Sequence, residues 1–148
     1  MATSTLIQFL SSGEGADTSN RSQTETFFAA GAIAAGDWVA LDVSKTGADK
    51  ALNVIATPAA AGAGNVVGVA LDNASAGGQV RVTVAGYVAS ANVVNATAAG
   101  ASLTTSGVTA GRTLTYASGT HTGTGPCGIA LTTAGGSNTA EVWVFKRF

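Results

Sequence analysis

The residues that could carry chemistry are few and scattered in this chain of 148 residues. His121 is its one histidine and lies in the loop-like stretch SGTHTGTG, shortly before its one cysteine, Cys127. A zinc site needs a second pair of ligands, which the sequence does not supply. A serine triad would depend on His121, but no serine lies in a nucleophile-elbow pattern. Cys127 begins an apolar strand pattern, GPCGIAL, which favours a buried small side chain.

The carboxylates and glycine-rich stretches also lack the context that catalysis requires. Asp37, Asp42 and Asp72 flank predicted strand ends, where carboxylates usually accept hydrogen bonds from turn amides. No close carboxylate pair suggests general acid and base catalysis. The GTG at Gly123–Gly125 precedes Pro126 and a strand rather than opening a helix, so a phosphate-binding loop is not supported. The sequence therefore predicts a protein that is not an enzyme and holds no cofactor or metal.

The composition argues against two classes of partner. Only 10% of the residues are charged, against about 25% in an average soluble domain, and the net charge is −1. The seven Lys and Arg form no basic run, so we expect no nucleic-acid partner. No apolar run approaches the roughly 18 residues of a membrane helix, and the N-terminus lacks a secretory signal pattern, so we expect synthesis in a cytoplasm and no membrane contact. A surface so poor in charge is typical of one covered by other subunits; an alanine-rich thermostable domain is the alternative.

Short apolar stretches that alternate with glycine-rich turns follow one another from Phe27 onward. The clearest is QVRVTVAGYV, in which Val80, Val82 and Val84 face one way and the residues between them face the other. Further strands are predicted at DWVALDV, KALNVIA, VVGVALD, ASLTT, RTLTY, CGIALTT and TAEVWVF. Such spacing indicates an all-β fold, a small antiparallel barrel or sandwich. The alanine-rich stretch FFAAGAIAAG is interrupted by glycines and does not support a helix.

The chain also contains an internal repeat. GVALDNASAGGQVRVTVAGYV at Gly68–Val88 aligns without a gap with GIALTTAGGSNTAEVWVFKRF at Gly128–Phe148. A second, shorter pair of similar segments is AAGDWVAL at Ala34–Leu41 and AAGASLTT at Ala98–Thr105. The β domain, residues 24–148, is therefore predicted to consist of two related halves, about 28–90 and 91–148, since neither half alone covers both sides of its sheet. Convergent turn and strand chemistry is the alternative.

The N-terminal segment, residues 1–23, differs from the rest and is predicted to form an extended arm. An apolar patch is followed by a polar and glycine-containing tether that cannot bury enough surface to fold alone. The patch residues are the candidates for docking on a partner: Leu6, Ile7, Phe9 and Leu10.

The last predicted strand carries a candidate oligomer interface. If Val142 and Val144 line the core, Trp143 and Phe145 point outward, with Arg147 on the same face. Two outward aromatic side chains beside an arginine match the composition of protein interfaces. The alternative is a strand buried on both faces beneath the arm or a loop.

Three motifs resemble the capsid decoration, or cement, proteins of tailed bacteriophages. They are an "aGd-x-V" strand at Asp37–Val39, a "vGVAl" strand with its turn and next strand at Gly68–Gly86, and a weaker copy at Gly128–Val144. The resemblance covers residues 28–148 and not the arm. It implies a symmetric oligomer, often a homotrimer, on the outer capsid surface of the virion, where it clamps neighbouring copies of the major capsid protein. The family has no catalytic residues to carry over.

Three other classes remain as alternatives. A phage tail or fibre receptor-binding component would share the all-β, glycine-rich character, but fibres usually show many short repeats. A bacterial surface or pilus subunit would require an export signal, which the sequence lacks. An enzyme is the remaining class. Copy number in purified particles separates cement protein from tail component.

Overall fold

The computed structural model describes residues 22–57, 65–106, 108–118, 120–121 and 125–147. These residues form nine strands and one four-residue helix: β1 (Gln23–Ala29), β2 (Trp38–Leu41), α1 (Asp49–Leu52), β3 (Asn53–Ala56), β4 (Val66–Ala70), β5 (Gln79–Asn92), β6 (Ser102–Thr105), β7 (Thr113–Thr115), β8 (Gly128–Ala130) and β9 (Thr139–Val144). The docking candidates Leu6, Ile7, Phe9 and Leu10 lie outside the described residues. Within the described residues no helix is long and apolar enough to cross a membrane.

The first half of the chain closes into a five-stranded barrel. Its strands follow the order β1-β3-β2-β4-β5, and a further pairing of β1 with β5 completes the circle. We call this the first barrel; it uses β5 as far as Ala85. The all-β fold predicted from the sequence is confirmed. One pair departs from the antiparallel expectation, because β1 and β3 run parallel, with Ala29 opposite Val54.

The second half, which we call the second unit, repeats this strand order. The part of β5 from Gly86 to Asn92 pairs with β9, and the order continues β9-β8-β6-β7. An isolated parallel bridge joins Thr113 of β7 to Val93, the residue that directly follows β5. That bridge corresponds to the parallel contact of β1 with β3, so β5 serves as the last strand of one half and the first strand of the other.

The repeat extends to individual backbone hydrogen bonds. The amide of Gly36 donates to the carbonyl of Ala70 over 2.8 Å, and the amide of Gly100 donates to that of Ala130 over 2.7 Å. In the turns that follow, the amide of Leu71 donates to the carbonyl of Arg81 over 2.8 Å, and the amide of Leu131 donates to the carbonyl of Glu141 over 2.7 Å. Strand pairing and turn geometry are thus the same in both halves, which supports a duplication rather than convergent turn chemistry.

The valines of the two aligned strands point into the protein as expected. Val82, Val84, Val142 and Val144 are all buried. The first pair belongs to a core cluster inside the first barrel and the second pair to a cluster in the second unit. The alternation that the sequence shows at these positions is therefore the alternation between core and exterior.

Two stretches differ locally from the sequence-based expectation. KALNVIA was expected to be one strand, but Lys50, Ala51 and Leu52 belong to α1 and only the remainder forms β3. These three residues are good helix formers, which favours a helical turn over an extended edge. At the other end, β5 is 14 residues long and continues through VASAN, beyond the predicted strand.

The glycine that opens each copy of the repeat is required by a close backbone approach. A β-carbon on Gly68 would lie 2.0 Å from the carbonyl oxygen of Thr83. At the equivalent position of the second copy, a β-carbon on Gly128 would lie 2.6 Å from the carbonyl oxygen of Trp143 and 2.9 Å from the indole of Trp38. Real β-carbons do not approach other atoms this closely, so both copies need glycine at this position.

We therefore predict that Gly68→Ala and Gly128→Ala each destabilise the protein by at least about 3 kcal/mol, the upper range for overpacking a core. The measurement is denaturant unfolding followed by circular dichroism. Gly31→Ala is the control, because a β-carbon there has no atom within 4 Å, and its effect should stay within about 0.5 kcal/mol. Equal effects of all three substitutions would contradict the packing explanation.

Candidate interaction surface

The reactive residues named from the sequence serve local structure in the folded chain. The Nδ1 of His121 accepts a hydrogen bond from the amide of Ala117 at 2.9 Å, and its ring lies 5.8 Å from that of Tyr116. Asp42 accepts hydrogen bonds from the amide and hydroxyl of Ser44, which lowers the pKa of the carboxyl. These arrangements fix turns, as carboxylates at strand ends usually do.

Asp37 and Asp72 hold longer-range contacts. Asp37 accepts a hydrogen bond from the amide of Ala34 at 2.9 Å and from the side chain of Asn92 at 2.8 Å, which ties the first barrel to the end of β5. Asp72 forms a salt bridge with Arg81 at 2.7 Å, and the guanidinium lowers the pKa of this carboxyl. Both groups of the salt bridge are substantially exposed, so it contributes little to stability.

Among the described residues no three potential ligands cluster in a way that could hold a metal ion.

Cys127 is buried in the core of the second unit. Its Sγ–H donates to the carbonyl of Leu103 at 3.3 Å, and burial raises the pKa of the thiol to about 12. The small buried hydrophobic role predicted for this residue agrees with its position. A thiol in this environment is a poor nucleophile.

Trp143, the first interface candidate, lies in the middle of an outward-facing row. Register places Tyr87 of β5 opposite Trp143, Ile129 on the other side of Trp143, and Ser102 beyond Ile129. We call these four residues the outer row of the second unit; all of them are half-buried. Partial burial, followed by the neighbouring carboxylate of Glu141, raises the pKa of Tyr87. Three of its strands present the apolar or aromatic side chains Tyr87, Trp143 and Ile129, and the fourth presents the small Ser102.

The other two interface candidates occupy different surroundings. Phe145 is half-buried just beyond β9, and its amide donates to the carbonyl of Cys127 at 3.0 Å. Arg147 donates to the carbonyl of Gly125 and lines a cavity at the first barrel. The structure thus pairs Trp143 with Tyr87 and Ile129, which sequence reasoning did not select.

The cavity has a volume of about 230 Å³ and opens at one end of the first barrel. Side chains from the barrel core and from α1 form its apolar part, and charged side chains border it; the lining residues are Glu25, Phe27, Leu41, Ala51, Val67, Val84, Lys146 and Arg147. Lys146 also donates to the side-chain oxygen of Gln23 at 3.0 Å. No spacing in the sequence predicted this cavity, because its walls come from elements that are far apart along the chain.

The comparisons with known proteins bear on the fold. No protein-family model and no curated protein matches the sequence. Among solved structures, the chain is similar to the head fiber gp8.5 N base of bacteriophage phi29, with a TM-score of 0.57 and 16% sequence identity. The match covers 84% of this chain and 94% of the other. That is more of this chain than either half contains, so the likeness extends over both halves. At 16% sequence identity, this similarity shows that the two proteins share a fold.

We predict that Cys127 resists alkylation as long as the protein is folded. At pH 8 a thiol with a pKa of about 12 is ionised in roughly one molecule in ten thousand. Iodoacetamide labelling followed by mass spectrometry should be complete in denaturant and almost absent under native conditions at the same pH. Rapid labelling of the native protein would show that Cys127 is accessible and that its environment differs from the one described.

Proposed function

We propose that this chain is a structural protein of a phage head, and specifically a decoration protein that binds the outer capsid surface and stabilises the lattice of the major capsid protein. The observation that carries the proposal is the fold shared with the phi29 head fiber N base. The motifs that resemble decoration proteins add support, and the close backbone approach at Gly68 and Gly128 gives a structural reason for the glycine that opens each copy.

The physical properties of the chain suit this role. A decoration protein stabilises a capsid by mass action, because it binds the assembled lattice better than free subunits. Many weak contacts at a fixed spacing add avidity, provided that the body presenting them is rigid. Two halves joined by one continuous strand would offer such a body, and a chain with 10% charged residues has few charges to desolvate against neighbouring subunits.

The part of the N-terminal arm that precedes β1 is proposed to contribute a second contact. Its apolar residues Leu6, Ile7, Phe9 and Leu10 would dock on a capsid subunit or on a neighbouring copy. An extended segment can add a strand to an exposed sheet edge of its partner. Self-association into a homotrimer completes the proposal, because a symmetric oligomer can contact several capsid subunits at once.

A fibre component is the second candidate. The specific observation in its favour is that the similar structure is the base of a head fiber. In that case the chain would attach an appendage at a few sites rather than cover the lattice. The phage tail or fibre receptor-binding alternative belongs to the same class, and both share a low copy number.

Retention on particles distinguishes these functions. Purified protein is added to bare heads of the phage that encodes it, the particles are sedimented through a gradient, and bound copies are counted by quantitative mass spectrometry. A decoration protein should approach a fixed ratio to the major capsid protein and should slow the thermal disruption of the heads. A few copies per particle would favour the fibre component, and no retention would contradict both.

Deletion of residues 1–12 tests the contribution of the arm. We expect the truncated chain to keep the melting temperature of the full chain, because the first described strand begins at Gln23. Retention on heads should fall, because burial of four apolar side chains is worth several kcal/mol before the entropic cost of ordering the arm, with about 1.5–3 kcal/mol for each fully buried side chain. A variant with Leu6 and Phe9 replaced by Ser, at unchanged length, is the matched control. Equal retention of all three proteins would remove the arm from the binding mechanism.

A further inference from the structure

We propose that copies of this chain associate head to tail, so that the outer row of the second unit in one copy packs on the open seam of the first barrel in the next. The seam is defined by the exposed side chains of Phe28 and Leu52. The inference deepens the proposed self-association and does not depend on capsid binding. It follows from comparing a junction inside the chain with the positions that the repeat makes equivalent to it.

The junction inside the chain buries the outer row of the first barrel. Register aligns Trp38 with Val69 and Val69 with Thr83 across three strands. Trp38 and Val69 are 0% exposed and Thr83 is 2% exposed. Trp38 and Val69 belong to the core cluster that otherwise consists largely of second-unit residues, such as Leu103 and Val142. The first barrel therefore uses this row to pack on the second unit.

Two backbone positions of the second unit receive this row. The amide of Asn92 donates to the carbonyl of Gly36 at 2.8 Å, and the carbonyl of Gly111 accepts from the amide of Trp38 at 2.9 Å. The segment that carries Trp38 is thus held between the end of β5 and the start of β7. These two positions form the seam of the second unit.

The repeat places an equivalent row on the second unit, and that row is open. In the two sequence alignments Trp38 corresponds to Ser102, Val69 to Ile129 and Thr83 to Trp143. Ser102 pairs with Ile129, and Ile129 with Trp143, just as their equivalents pair in the first barrel. Ser102, Ile129 and Trp143 are half-buried, whereas their equivalents in the first barrel are fully buried. Within the described residues, the row that joins the halves inside the chain is left partly uncovered in its second copy.

The repeat also places an equivalent seam on the first barrel, and that seam is open as well. Phe28 pairs with Gln79, and Asn92 pairs with Thr139. Gln79 and Thr139 are aligned positions of the two copies, so Phe28 is the equivalent of Asn92.

The same comparison locates the other side of the seam. The bridge of Ala29 with Val54 corresponds to that of Val93 with Thr113, so Leu52, two positions before Val54, is the equivalent of Gly111.

Both seam residues are large apolar side chains that are exposed. Phe28 is 42% exposed and Leu52 is 49% exposed. Single exposed apolar side chains are ordinary on protein surfaces. These two differ in standing at the positions where the repeat places the contacts of the internal junction. The chain therefore offers an uncovered row on one half and an uncovered seam on the other.

The two surfaces are different, so the association is heterologous and each copy can bind a neighbour on both sides. A heterologous contact generates a ring if its rotation closes and an open filament if it does not. A ring or a filament of identical copies is the expected product, and the angle between successive copies decides which of them forms.

Single-surface variants test the proposal. Ile129→Glu disables the outer row, and Leu52→Glu disables the seam; Val108→Glu is the control, because Val108 is 85% exposed and lies on neither surface. Sedimentation velocity of the purified chains, without capsids, gives the mass of each. Wild type and Val108→Glu should be oligomers of the same mass, and each single-surface variant should associate at least about tenfold more weakly.

The decisive measurement is a mixture of the two defective variants in equal amounts. A head-to-tail contact predicts a complex of two chains that cannot grow, because one intact row meets one intact seam. A symmetric contact between identical patches predicts no such pair. Retention of circular dichroism and of cooperative unfolding confirms folding, and Trp143→Ala with Phe28→Ser serves as the second pair of variants if either glutamate prevents folding.

A monomeric wild type would overturn the proposal. So would a normal oligomer formed by the seam variant, or a mixture that contains only monomers. The test is independent of heads, so loss of capsid retention with intact self-association would contradict the proposed function and leave this inference in place.

Discussion

The constraint on which the rest of the structure depends is that one strand is shared by two sheets. β5 pairs with β1 and β4 through its first part and with β9 through its second part. The second part begins at Gly86, whose φ of 103° is a conformation that other residues rarely adopt. The strand changes sheets at this glycine without interrupting the chain. Unfolding of either half would therefore remove a strand from the sheet of the other, and we expect the two halves to unfold together.

Much of the fold could be predicted from the sequence, because side-chain alternation and the alignment of the two copies can both be read along the chain. Val82 and Val142 could be placed in the core from their spacing alone. The boundary between the halves could not, since the expected division near residue 90 falls inside β5. The parallel pairing of β1 was also missed, because QTETFFA has no alternation and strand direction depends on the path of the chain between strands.

The candidate surface was predictable only in part, for a related reason. Alternation identified Trp143 as outward-facing, but it cannot say which residue lies on the neighbouring strand. Tyr87 and Ile129 became its partners through register, and register is fixed by turns and bulges far along the chain. The same limit applied to Trp38. Alternation placed Trp38 and Val39 on opposite faces of their strand, but only the packing of the two halves shows that the face carrying Trp38 is buried.

The positions of the two tryptophans have a consequence for observing this protein in solution. Trp38 is 0% exposed between the halves, whereas Trp143 is half-buried on an open row. The sequence contains no third indole. The emission wavelength of Trp38 reports whether the two halves are packed together. That of Trp143 reports whether the outer row is exposed to solvent or buried by a neighbouring copy. Replacing one indole with phenylalanine at a time leaves a single tryptophan, which can be excited selectively above the absorption of the two tyrosines, so folding and assembly can be followed separately without attaching a dye.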